Sequence, residues 1–362
     1  MRIGIDLTSR MAHLKTGMLR VLRSYIRGLA KVMTGIDSLI LFVTKDNRIT
    51  FEEFANDHIK LDLTEPSKLR NKLGSVDGIH FPFNEIELDQ DSVPVVITLC
   101  DLIPEQFPRD FPESIRKKRR YNCQKADFII TISQYVKHDV INRYEIDPRK
   151  IQCVYPAVEE IFRKKFENGL LMRIKQKYQL PDKFLLYPAA ARPHKNHETL
   201  LKVFNTLNEN ISLVLTTGET HAPGRFRKLR LDADKYKNSR ILILGHINEE
   251  DFPMFYSLAN AVVIPSLSEG FGYPAVEAMS LSCPVVCSNV TSLPEITNHE
   301  ALYFNPNDPE DMLEKIRMII NDNGLREKLI ESGQKNVNRF EDVRSANVLL
   351  AAYKYMTDQE CT

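Results

Sequence analysis

Short runs of aliphatic and β-branched residues alternate with longer segments whose apolar residues recur at helical spacing, and the alternation runs through most of the chain. A strand buried on both faces reads as an unbroken apolar run, and two parallel strands must be joined by a crossover long enough to hold a helix. The rhythm therefore predicts parallel sheets wrapped by helices, an α/β architecture. Strand runs fall at 2–6, 39–43, 78–81, 95–99, 128–132 and 151–155, with a helix over 18–33. A second cycle has runs at 184–187, 212–216, 240–244, 261–264, 284–287 and 301–304, with helical segments at 198–208, 223–237, 251–258, 274–281 and 309–321. At 362 residues the chain is longer than a single hydrophobic core accommodates. We expect two Rossmann-like doubly wound domains, 1–165 and 166–345, facing a cleft, and a closing helix and tail, 346–362, that crosses back to the first domain.

A formal charge of +1 gives no global attraction to nucleic acid, and no recognition motif for it is present. The start, MRIGIDLTSR, enters a strand without an apolar leader, and no apolar stretch reaches the length of a membrane span, so a cytoplasmic protein is expected. Cys100, Cys123, Cys153, Cys283, Cys287 and Cys361 form no C-x-x-C pair and read as reduced thiols, neither a disulfide framework nor a zinc site.

The stretch PSLSEGFGYPAVEAMS, 265–280, follows the strand run at 261–264. In open α/β sheets ligands sit outside the carboxyl ends of the strands, often against a helix N-terminus. Gly270 and Gly272 let backbone N–H groups approach a ligand closely, Pro274 suits a first helical position, and the helix N-terminus supplies positive potential for phosphate. Glu269 and Glu277 beside a phosphate need another partner, and a carboxylate accepts readily from a sugar hydroxyl. Amides for phosphate and carboxylates for hydroxyls together describe a nucleotide sugar. The plainer alternative for Glu277 is a charge that complements the helix dipole.

EGFGYPAVE, within the longer stretch GHINEEDFPMFYSLANAVVIPSLSEGFGYPAVEAMSLSCPVVCSNVTSLPEI, resembles the donor-site signature of the family 4 retaining glycosyltransferases. Weaker similarity takes in ADFIITISQYVKHDV and KIQCVYPAV. The resemblance implies the GT-B fold and transfer of a hexosyl group from a nucleotide diphosphate sugar, such as GDP- or UDP-hexose, to a hydroxyl. It implies retention of configuration and neither a metal nor a further cofactor. It also implies that Glu269 and the amides of Gly270, Phe271 and Gly272 face the donor sugar, that Tyr273 and Pro274 flank the diphosphate, and that Glu277 holds the ribose. TLCDLIP and RPHKN are most similar to bacterial mannosyltransferase-like members that make surface polysaccharide such as lipopolysaccharide.

YPAAARPHKNHETLLKVF places Arg192 and Lys195 between the first strand of the second domain and a helix. A guanidinium fork and an ammonium point charge suit a diphosphate that gains charge as it leaves, and the resemblance matches them to the family's basic pair, at tighter spacing. The alternative is two solvated charges at a helix start. His194 and His197 lack a third ligand, and the D-x-D patterns Asp89-Gln90-Asp91 and Asp232-Ala233-Asp234 end no strand, so no metal is expected. Backbone at 245–247 is expected to meet the base.

In the first domain, VVITLCDLIPEQFP sets Asp101 just past a strand, which resembles the family's strand end carrying HD, with Cys100 where histidine is usual. KTGMLRVLRSY resembles the glycine-rich loop that opens the family's first long helix; Gly17 and Arg20 match, and Leu19 replaces the second glycine. The consecutive cations Arg116, Lys117, Lys118, Arg119 and Arg120 read either as a solvated helix face or as a contact with anionic headgroups. The second reading would hold the protein at the inner face of a membrane, beside a glycan or lipid-linked acceptor. Cys100 and Leu19 leave open a donor-binding partner subunit without turnover, and phosphorolysis or synthase chemistry on the same fold is a third reading.

Overall fold

The computed structural model describes all residues except 10–16, 36, 84–92, 218–222, 237, 239, 246 and 359–362. The chain divides into two compact units, Met1–Ala157 with Arg339–Thr362, and Val158–Asn338. It leaves the first unit before 165 and rejoins it before 346, so the whole helix Asp342–Asp358 belongs to the first unit.

The first unit's strands are β1 (Arg2–Asp6), β2 (Ser38–Val43), β3 (Ile59–Leu63), β4 (Gly78–Phe81), β5 (Val95–Leu99), β6 (Phe128–Thr131) and β7 (Ile151–Cys153). They pair in parallel in the order β3-β2-β1-β4-β5-β6-β7. β3 is absent from the sequence reading because it is an edge strand: Lys60 and Asp62 interrupt its apolar run, and only Ile59 is buried. The central strands β4 and β5 are buried on both faces, and Ile79, Ile97 and Ile129 pack in one core with Val136 and Val140. Each such side chain contributes about 1.5–3 kcal/mol by leaving water.

Helix Gly17–Val32 buries Leu19, Leu22, Tyr25, Ile26 and Leu29, the stripe that its spacing requires. Against it lies the closing helix, tied by a bidentate ion pair from Arg27 to Asp342 at 2.8 and 3.0 Å and by Lys31 to Asp342 at 3.1 Å. Gly28 is required at this crossing, since a Cβ there would stand 2.4 Å from the Asp342 carbonyl oxygen. Deeper in the unit, His80 Nδ1 meets Tyr353 Oη at 2.6 Å and its Nε2 meets Thr98 Oγ1 at 2.7 Å. Burial holds this imidazole down to about 3, so it is neutral.

The second unit's strands are β8 (Phe184–Tyr187), β9 (Ser212–Thr216), β10 (Ile241–Leu244), β11 (Ala261–Ile264), β12 (Val285–Ser288) and β13 (Leu302–Phe304), all parallel in the order β10-β9-β8-β11-β12-β13. Chain order reverses between the neighbours β8 and β11. At such a switch point, outside the carboxyl ends of the strands, open α/β sheets bind ligands. Among the described residues no helix is long and apolar enough to cross a membrane.

Candidate active site

Lys195 and Glu269 meet at that switch point. β8 ends at Tyr187, the chain makes a tight turn over Pro193–Lys195, and Asn196 takes the left-handed conformation at φ 56 before helix His197–Asn205. β11 ends at Ile264 and leads through Ser266 to Glu269. Lys195 Nζ lies 2.6 Å from Glu269 Oε1, and Ser266 Oγ donates to the same oxygen at 2.7 Å. Tyr187 Oη donates to the Lys195 carbonyl at 2.7 Å. Its phenol is held well above the ordinary value by burial, with the Glu269 charge adding to the effect, so the donor keeps its proton.

Glu269 is 7% exposed. A carboxylate this deep needs both a cation and further hydrogen bonds to offset lost hydration, and here it has both. The two donors converge on Oε1; among the described residues no hydrogen bond reaches Oε2.

The bend after Glu269 requires glycine at 272. Gly272 has φ 101, and a Cβ there would stand 2.8 Å from Leu293 Cδ2. It is the N-cap of helix Tyr273–Ser280, which starts with Pro274 in its first turn and has no side-chain cap. That leaves the helix start electropositive and suited to an anion. Phe271 and Tyr273 are buried and pack edge-to-face at 5.1 Å, so at this point the chain offers a ligand its backbone. Glu277 lies deeper than the sequence suggests: it is 1% exposed and accepts the hydroxyl of Tyr256.

Arg192 is exposed and makes no ion pair with a described residue. His197 is buried against Tyr187, ring centroids 4.8 Å apart, and burial holds it down to about 4. No group of three metal-ligating side chains occurs among the described residues. Asp232 pairs with Lys235 on a helix surface, while Asp89 and Asp91 lie outside the described residues, as does residue 246 of the expected base contact.

Gly17 and Asp101 belong to the first unit. Gly17 opens its helix with no described atom within 4 Å of where a Cβ would stand, whereas Leu19 is part of the core. Asp101 is held in place by protein: its carboxylate accepts from the Ile103 N–H at 3.1 Å and from Arg119 at 3.3 Å, and its carbonyl accepts from Arg119 at 2.8 Å. Arg119 also faces Glu105 at 3.8 Å. The basic run is thus divided. Arg119 turns inward, Lys117 pairs with Glu113, and Lys118 and Arg120 are exposed on helix Glu113–Lys125 beside Ile115 and Tyr121. Cys100 is buried, and desolvation, helped by the Asp101 charge, pushes its thiol up to about 12, so it is neither nucleophile nor base at neutral pH.

Sequence reasoning missed Tyr187 and Ser266. Nothing in a strand-ending tyrosine or a Pro-Ser pair announces that their hydroxyls hold the two ends of one ion pair.

Residues 172–336 match the family model described as glycosyl transferases group 1. The serotype-specific mannosyltransferase WbdA of Escherichia coli is 30% identical over 74% of this chain, and this chain spans about a third (34%) of WbdA's length. The O-antigen chain mannosyltransferase B of Escherichia coli is 29% identical over 70% of this chain and 67% of its own. Among solved structures, Anabaena Alr3699/HepE in complex with UDP and glucose superposes with a TM-score of 0.80 at 16% identity, covering 98% of this chain and 100% of that one. The likeness shows a GT-B fold, matching two parallel-sheet α/β units.

Proposed function

We propose that this chain, whose residues 172–336 belong to the glycosyl transferases group 1, moves a hexosyl group from a nucleotide diphosphate sugar to a hydroxyl of a glycan or lipid-linked acceptor. The observation that carries the reading is the pair of half-buried Lys195 with buried Glu269 at the switch point, beside a helix start without a side-chain cap. The mannosyltransferase relatives make GDP-mannose the first donor to try, and the UDP complex of the structural neighbour makes UDP-glucose the second. Surface polysaccharide is the proposed product class.

In this reading a sugar hydroxyl donates to Glu269 Oε2. The diphosphate lies across the amides at 270–272 and the start of the following helix, with Tyr273 and Pro274 beside it. Lys195, aided by Arg192, stabilises the charge that grows on the departing phosphate, an effect often larger than any other in such catalysis. The acceptor oxygen attacks the anomeric carbon on the face that the diphosphate leaves. As the C–O bond to phosphate breaks, the leaving phosphate takes the acceptor's proton, and configuration is retained without a protein nucleophile. Charge stabilisation by side chains and a helix terminus makes a divalent metal dispensable. Glu277 is the proposed ribose partner, which requires its carboxylate to exchange the Tyr256 hydroxyl for one from the ligand. Lys118 and Arg120 would rest on anionic headgroups at the cytoplasmic face of a membrane.

Nucleotide release from GDP-mannose, UDP-glucose and ADP-glucose tests the reading, with the product's anomeric configuration and the effect of EDTA measured alongside. Release with retention and without metal is expected. Binding without release, across many acceptors, would instead mark a donor-binding partner subunit, a reading favoured by the buried Cys100 at the place of a histidine.

A further inference from the structure

Three consecutive residues after β12 grip the bend that carries Glu269. Thr291 Oγ1 accepts the Glu269 N–H at 3.0 Å. Ser292 Oγ shares its proton between the carbonyls of Glu269 at 3.0 Å and Phe271 at 2.9 Å. Leu293 fills the space in front of Gly272. The backbone of the bend is thus held from one short segment.

Two features of that segment are not accounted for by its own local structure. Thr291 has φ 56, a region that a β-branched residue enters only when its surroundings over-determine it, and such residues gather at functional sites. Ser292 is the N-cap of the short helix Leu293–Ile296, where a serine side chain ordinarily accepts from a first-turn N–H. It makes no cap bond, and its hydroxyl turns to the bend instead. Both residues forgo their local preference, and both do so toward Glu269.

We propose that Thr291 and Ser292 are positioning residues that fix the Glu269 backbone and so aim the carboxylate paired with Lys195 at the donor sugar. The proposal deepens the donor-site reading above and rests on it. Thr291→Val keeps the shape and removes the acceptor oxygen; Thr291→Ser restores it. With GDP-mannose and UDP-glucose as probes, Thr291→Val and Ser292→Ala are expected to lower kcat for nucleotide release about tenfold with KM changed less than about twofold, the pattern of a misaimed group. Thr291→Ser should stay within about twofold of the unaltered protein. Full activity in Thr291→Val, or no rescue by serine, overturns the proposal.

Amide hydrogen exchange in the ligand-free protein gives a second readout that needs no donor. The Glu269 amide should exchange about tenfold faster in Thr291→Val and at the unaltered rate in Thr291→Ser. Unchanged exchange in Thr291→Val overturns the proposal. If neither probe binds or turns over, the donor-site reading falls, and exchange alone then decides whether Thr291 holds Glu269.

Discussion

The two units share a strand order, with β3-β2-β1-β4-β5-β6 in the first matching β10-β9-β8-β11-β12-β13 in the second, but they use the polar groups at their strand ends differently. In the second unit, Tyr187 and Ser266 leave neighbouring strands and converge on a Lys195–Glu269 pair whose Oε2 accepts no hydrogen bond from a described residue. In the first, Asp101, Arg119, Glu105 and Tyr144 are joined to one another past β5, and His80, Thr98 and Tyr353 are joined inside the core. The second unit's spare oxygen lies beside a helix start, whereas the first unit's, Glu105 Oε2, is buried 3.8 Å from the protein's own Arg119. A fold supplies the crevice, and the chemistry is set by what the side chains there leave unfinished.

The largest expected effect tests that contrast directly. Lys195→Ala should lower nucleotide release by about 10²–10³-fold, or about 3–4 kcal/mol in the barrier, with donor binding affected less because the leaving-group charge grows in the transition state. It also strands a buried carboxylate, so a loss of melting temperature is expected. The double variant Lys195→Ala/Glu269→Gln should recover the melting temperature and not the rate. Asp101→Asn should cost less than about tenfold, because a residue already engaged by Arg119 and Ile103 has less to give the transition state. A loss as large as that of Lys195→Ala would break the comparison.

How much of this was legible follows the same line. The sequence yields the second unit's bend almost completely, because Gly270, Gly272 and Pro274 carry backbone requirements that each residue type announces. It yields the parallel sheets as well, since strands buried on both faces are mostly apolar runs. It loses β3, where one face is wet and Lys60 and Asp62 mask the period. It cannot show that Glu277 is 1% exposed beneath Tyr256, because depth depends on packing from a separate helix. Nor does it separate Arg119 from its basic neighbours. Five consecutive cations look alike in a string, and a helix turns one of them toward Asp101.

A second, smaller effect compares the units by acid. His80 in the first and His197 in the second are held down to about 3 and about 4 by burial. Each is neutral when folded, whereas the unfolded chain takes up a proton below its ordinary value near 6.5. Stability from each imidazole is therefore whole above pH 6.5 and is lost as pH falls toward the folded value, by about 2 kcal/mol per histidine at pH 5. Hydrogen exchange at pH 7 and pH 5, corrected for intrinsic rates, should show both units opening more readily in acid. His80→Gln should flatten the first unit's response and leave the second's unchanged. A response in the first unit that survives this change would assign its acid sensitivity elsewhere.

The smallest effect sharpens the division within the basic run. Lys118 and Arg120 are exposed on one helix beside Ile115 and Tyr121, while Arg119 faces Asp101 and Glu105. Each exposed cation near an anionic bilayer strengthens binding by about fivefold at moderate salt, and the gain fades as salt screens it. Lys118→Ala/Arg120→Ala should therefore weaken cosedimentation with vesicles containing phosphatidylglycerol by roughly 25-fold and leave the melting temperature unchanged. Arg119→Ala should do the reverse, lowering the melting temperature because Asp101 and Glu105 lose their shared cation, with vesicle binding close to that of the unaltered protein. If all three cations contribute equally to vesicle binding, the inward turn of Arg119 toward Asp101 and Glu105 does not persist on the vesicle surface.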